Sequence, residues 1–115
     1  MIEIDFYTTE SGRIPITEFF ESISGKQLRK ITWVLELFEE TGVISTQYFK
    51  KLKNTDEIWE IRIIYSGDIF RLLGFFALKN HFILTNGFRK KTQKTPKSEI
   101  DLAEKRKKEY LERIK

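Results

Sequence analysis

The chain has 115 residues, 40% hydrophobic and 33% charged, with ten Phe, a single histidine (His81), no cysteine and a net charge of +4. That is one domain with ample material for a core, so disorder of the whole chain is excluded, as are disulfides, thiolate metal sites and a cysteine nucleophile. One histidine with scattered carboxylates builds no zinc site or calcium loop, so neither metal nor cofactor is expected.

Charge is distributed unevenly. Residues 1–44 carry a net charge of −4 and residues 89–115 a net charge of +6, which points to a polyanion contacted by the C-terminal third. A solvated basic helix would give the same count. No window reaches 18 consecutive apolar residues, and the start, MIEIDFYTTE, is acidic and alternating rather than basic and then apolar. A cytoplasmic protein with no membrane association is the expectation.

In chain order, Ile2, Ile4 and Phe6 alternate with Glu3 and Asp5, the period-2 pattern of a half-buried strand over residues 2–8. Pro15 is suited to a first helical position and opens a short helix, residues 15–23. Ser24-Gly25 breaks it. From 26 to 40, Leu28, Ile31, Val34, Leu35 and Phe38 recur every three or four residues, and Gly42 supplies a stop. These two helices predict a helical hairpin in need of a flat apolar surface. Segment 44–57 is ambiguous between a helical turn and an extended stretch. Runs 58–65, 69–78 and 82–88, parted by Ser66-Gly67-Asp68 and Lys79-Asn80-His81, predict consecutive antiparallel strands. Pro96 then opens a last helix over residues 97–113, with Thr95 as its cap and a thin apolar stripe. The expected class is α+β: a small antiparallel-dominated sheet, the N-terminal helical hairpin packed on one face, and a C-terminal helix. The second face is expected to be open.

Alternation places Trp59, Ile61, Ile63 and Tyr65 on one side of their strand and Glu60, Arg62 and Ile64 on the other. In the next strand Arg71 shares a side with Ile69, Leu73 and Phe75. An arginine among such neighbours is costly without an anionic partner. An ion pair of Arg62 or Arg71 with Glu60 or Asp68 is one account, and a phosphate clamp of two guanidinium forks is the other. Arg89, Lys90, Lys91 and Lys94 follow directly from the last strand. As a loop they read as solvated charge; with the arginines they make cations converging on one sheet edge, the footprint of a nucleic-acid site. Exposed Lys53 is an added backbone contact, and Phe88, Tyr48 and Phe49 are candidates for base stacking, although strand aromatics are more often core. His81 reads as a plain turn residue, and Gly67, Gly74 and Gly87 as turn or bulge positions.

The order of elements, with Ile58-Trp59-Glu60-Ile61-Arg62, Phe70-Arg71-Leu72-Leu73, the stretch from Asn86-Gly87-Phe88 through Lys90-Lys91, Lys94 and Thr95-Pro96, and the later Ala103, Arg106 and Tyr110, resembles the phage-derived HigB branch of the RelE/ParE toxin superfamily. The resemblance covers nearly the whole chain. It implies a RelE-like fold and the toxin of a type II toxin–antitoxin module, an mRNA endoribonuclease that acts in the ribosomal A site without metal and inhibits translation. It further implies a helix-turn-helix, HigA-like antitoxin as partner, with operator DNA reached only through that antitoxin. Carried over by position, it implicates Arg62, Arg71, Lys91 and Glu60 in catalysis and Arg89, Lys90, Lys94 and Lys53 in holding RNA. The chemistry would be attack of a ribose 2′-OH on the adjacent phosphodiester, leaving a cyclic phosphate, with cations stabilising the transition state. Proton transfer would fall to Glu60, to a lysine among cations or to ribosomal RNA. Two alternatives remain: a ParE-like gyrase inhibitor without catalysis, and a noncatalytic nucleic-acid-binding domain.

Overall fold

A computed structural model describes residues 1–42, 48–89 and 94–115. Among them are five strands, β1 (Glu3–Phe6), β2 (Phe49–Lys51), β3 (Trp59–Tyr65), β4 (Asp68–Leu78) and β5 (His81–Arg89), and three helices, α1 (Pro15–Glu21), α2 (Gly25–Thr41) and α3 (Lys97–Arg113). The class is α+β. The strands form one mixed sheet in the order β1-β5-β4-β3-β2, antiparallel except for β1, which runs parallel to β5. No helix of the described residues is long and apolar enough to cross a membrane.

Local chemistry sets the helix ends. Pro15 occupies the first turn of α1, where its missing N–H costs nothing. Ser24 and Gln27 form a reciprocal capping box at the start of α2, and Gly42 closes that helix in the left-handed region at φ 69°. Thr95 does not cap α3: Pro96 holds that position without a side-chain hydrogen bond, because the Thr95 hydroxyl is engaged elsewhere.

Two apolar layers flank the sheet. On one side Ile61, Ile63, Phe70, Leu72, Phe82 and Leu84 meet Ile16, Ile31, Leu35 and Phe38 from α1 and α2. Of the two helices, α1 contacts β5 and α2 contacts β3 and β1. On the other side Leu73, Phe75 and Ile83 pack with Tyr7, Ile58 and Ala103, and α3 lies over β4 and β5. The second face is therefore covered over those strands, which corrects the expectation of an open face. The apolar stripe of α3 is thin because polar side chains share the docking. Buried Lys107 donates to the Asp56 carbonyl at 2.6 Å, and Arg106 stacks over the Tyr7 ring and donates to the Thr85 carbonyl at 2.9 Å.

Between β4 and β5 the register shifts: Gly74 opposes Leu84 while Leu73 opposes Asn86, leaving Thr85 as the extra residue of a bulge. A Cβ at position 74 would lie 2.4 Å from the Ile83 carbonyl oxygen, so only glycine fits. The bulge resets the alternation and turns Asn86 and Phe88 toward α3.

Candidate functional site

Beyond the N-terminal end of α3, the row Arg62–Arg71–Phe88 crosses β3, β4 and β5 as direct neighbours, and the row behind it is Glu60–Leu73–Asn86. The alternation read from the sequence puts Glu60, Arg62 and Arg71 on one face, and Phe88 packs on that same side. Two guanidinium groups directly opposite each other repel, and such an arrangement needs anions to hold it. Glu60 is one. Its Oε1 accepts from Arg71 Nη1 at 3.3 Å, and its Oε2 lies 3.9 Å from Arg62 Nη2. Thr95 completes the cluster: its hydroxyl donates to Glu60 Oε1 and accepts from Arg71 Nη1 at 3.2 Å. From sequence alone this threonine reads as a helix cap, since a hydroxyl before Pro carries no signal of a partner 35 positions away.

Burial divides the group. The side chains of Arg71 and Glu60 are 0% and 1% exposed, against 19% for Arg62. Arg62 Nε is buried and has no hydrogen-bond partner among the described residues. One carboxylate thus serves two guanidiniums, and the outer one keeps an unmatched donor. Arg62 is the guanidinium a solvent-borne anion reaches, whereas Arg71 and Glu60 form the buried pair that was the alternative to a clamp.

The remaining residues of the expected site converge less closely. Arg89 opposes Phe70, so it faces the α1–α2 side rather than the arginine pair; it is half exposed and lies 3.7 Å from Asp68. Lys94 is exposed beside Thr95, and Lys53 is exposed in the connection after β2. Lys90 and Lys91 lie outside the described residues. Phe49 stacks on Trp59 with centroids 4.7 Å apart and joins the core, so it offers no platform for a base; Phe88 is part-buried next to Arg71.

Two further polar groups escaped the sequence reading. Asn86 donates to Glu99 Oε1 at 2.9 Å, tying β5 to the first turn of α3. At the other end of β5, His81 Nε2 lies 2.6 Å from Asp5 and 3.8 Å from Glu3 across the parallel β1 pair. Those three side chains bring potential ligand atoms within 4.8 Å of one another. They sit at the end of β5 remote from Arg71's partner Phe88 and take no part in the arginine site. The Tyr7 phenol is pushed above its ordinary value by burial and by its hydrogen bond to Glu109, and burial lowers Arg106.

Residues 18–108, from within α1 to within α3, match the model of a protein family described as phage derived protein Gp49-like (DUF891). No curated protein matches the chain.

Proposed function

The chain belongs to the phage-derived Gp49-like family, and from that premise we propose that it is the toxin of a type II toxin–antitoxin module, a cytoplasmic, ribosome-dependent and metal-independent mRNA endoribonuclease of the HigB branch of the RelE superfamily. One observation carries the reading. Two arginines are held face to face on adjacent strands with one carboxylate between them, and the outer one, Arg62, is 19% exposed and has a donor without an acceptor among the described residues. A phosphodiester supplies the missing anion.

In this reading Arg62 binds the scissile phosphate and stabilises the charge that grows on it as the 2′-oxygen attacks. The P–O5′ bond breaks, the leaving O5′ takes a proton from water, and a 2′,3′-cyclic phosphate and a 5′-hydroxyl remain. Arg71 and Glu60 are positioning residues: behind Arg62, they fix its guanidinium on a rigid pair of strands. With Glu60 buried and engaged by Arg71 and Thr95, the proton from the 2′-OH goes to a lysine of the 90–94 segment or to ribosomal RNA. Lys94, with Lys90, Lys91 and Lys53, guides the backbone toward the site, whereas Arg89 faces the other side of the sheet. Orientation of the mRNA by the ribosome supplies much of the rate. A helix-turn-helix antitoxin restrains the activity and links it to operator DNA.

The test uses Arg62→Gln, which leaves the buried pair in place. Induced in cells, the wild-type chain is expected to arrest growth and to cut mRNA on polysomes, with Arg62→Gln losing at least roughly 100-fold in cleavage. Full cleavage by Arg62→Gln overturns the assignment. Growth arrest with intact mRNA and poisoned gyrase would identify the inhibitor instead, and RNA retention without cutting would identify a binding domain.

A further inference from the structure

One histidine and scattered carboxylates announce no metal site in the sequence, but the parallel pairing of β1 with β5 gathers three of these side chains at one place. Ile2 and Ile4 pack toward the α1–α2 layer, so alternation sends Glu3 and Asp5 to the other face of the sheet. His81 stands directly opposite Glu3 in the register and projects from that same face. Its Nε2 lies 2.6 Å from Asp5 Oδ2 and 3.8 Å from Glu3 Oε1. Each residue thus offers one ligand atom, and the three atoms lie within 4.8 Å of one another. The imidazole is the fixed member, with 20% of its side chain exposed, against 74% for Glu3 and 58% for Asp5.

Ion pairing inside the cluster leaves negative charge over. Neither Glu3 nor Asp5 pairs with a lysine or arginine among the described residues. Two carboxylates share one imidazole, so the group keeps a net negative charge whether or not the ring is protonated. A divalent cation neutralises both carboxylates at once, and the donor set selects its class. One imidazole nitrogen with two carboxylate oxygens suits Zn²⁺, which takes three protein ligands and a water in its open sites; Mg²⁺ and Ca²⁺ are bound through oxygen. Bonds of about 2.0–2.2 Å to Zn²⁺ set tetrahedral ligand atoms roughly 3.4 Å apart, between the two separations that Nε2 makes here. Rotation of the exposed carboxylates closes the difference. We propose that Glu3, Asp5 and His81 form a zinc-class divalent metal site that ties β1 to β5. The inference is independent of the proposed enzymatic function: seven strand positions, roughly 20 Å, separate His81 from Phe88 beside the arginine pair, so an ion bound there takes no part in phosphodiester cleavage.

The test is isothermal titration calorimetry of the full chain, free of added histidines, with Zn²⁺ and with Mg²⁺ as the control. One Zn²⁺ per chain is expected, with a micromolar dissociation constant, and no uptake of Mg²⁺. His81→Gln and Asp5→Asn should each weaken zinc binding at least roughly tenfold, and Glu3→Gln, at the longer distance, at least roughly threefold. Because the ligands meet only when β1 pairs with β5, Zn²⁺ should raise the unfolding midpoint of the wild type and leave that of His81→Gln unchanged. Circular dichroism checks that each variant keeps its fold. On the wild type alone, nitrogen-15 spectra of the imidazole should show Nε2, not Nδ1, as the nitrogen that zinc shifts. Absence of zinc binding up to about 1 mM overturns the proposal. So does ligation through Nδ1, or binding that His81→Gln or both carboxylate variants leave intact, which would mark an adventitious ion only.

Discussion

Replacing Arg71 by Met would remove the guanidinium and keep most of the side-chain volume. The Glu60 carboxylate, 1% exposed, would then retain one hydrogen bond among the described residues, from Thr95, with Arg62 Nη2 3.9 Å away. Stranding one member of a buried ion pair typically costs about 3–5 kcal/mol. A domain of this size has roughly 6–17 kcal/mol of stability in total, so Arg71→Met should remain folded with its urea midpoint markedly lowered. The companion E60L/R71M replaces both partners with apolar side chains beside Leu73 and Phe88. It should recover to within about 2 kcal/mol of the wild type, a coupling of at least about 2 kcal/mol. The assay is urea unfolding followed by far-ultraviolet circular dichroism. A cost below about 1 kcal/mol for Arg71→Met, or a double variant whose loss equals the sum of the two single losses, would refute the reading of Glu60 and Arg71 as a buried, mutually dependent pair.

Two further perturbations probe the scaffold. Gly74→Ala brings a methyl against the Ile83 carbonyl and the Phe82 ring, with approaches of 2.4 and 2.8 Å before relaxation; a loss of at least about 2 kcal/mol is expected in the same unfolding assay, and a neutral result would contradict the bulge geometry. The raised Tyr7 value means that the folded state favours the neutral phenol. Its contribution is therefore complete below the ordinary tyrosine value, about 10, and is lost as pH rises through the higher folded value. Above about pH 10 the wild type should lose stability more steeply than Tyr7→Phe; parallel pH profiles would show that ionisation of this phenol is not coupled to folding.

The elements that read clearly from the sequence are those whose pattern is local. The Ile31–Leu35–Phe38 stripe, the Gly42 stop and the alternation of residues 59–65 each need only their own neighbours to be satisfied, and α2, its cap and β3 follow. Arg71 was conspicuous because a charge inside an apolar strand demands an account. The missed features all depend on distant partners. The parallel pairing of β1 with β5 joins residues nearly 80 positions apart, as in Glu3 with His81, and no periodicity encodes it. The placement of α3 over the second face rests on Lys107, Arg106 and Asn86, side chains that read as solvated until their carbonyl and carboxylate partners are known. Thr95 is the same case, a hydroxyl whose ordinary local role was displaced by a buried carboxylate. Arg89 reads with the arginine pair because it follows Phe88, yet that adjacency sends it to the opposite face.

The most direct measurement of the central claim is 5′-end mapping of a defined mRNA incubated with the purified chain, with and without programmed ribosomes, in the presence of excess chelator. The account predicts cuts at the A-site codon only when ribosomes are present, upstream fragments ending in a cyclic phosphate, and near-complete loss of both with Arg62→Gln. Intact mRNA on ribosomes, equal cutting of naked RNA, or undiminished cutting by Arg62→Gln would contradict it.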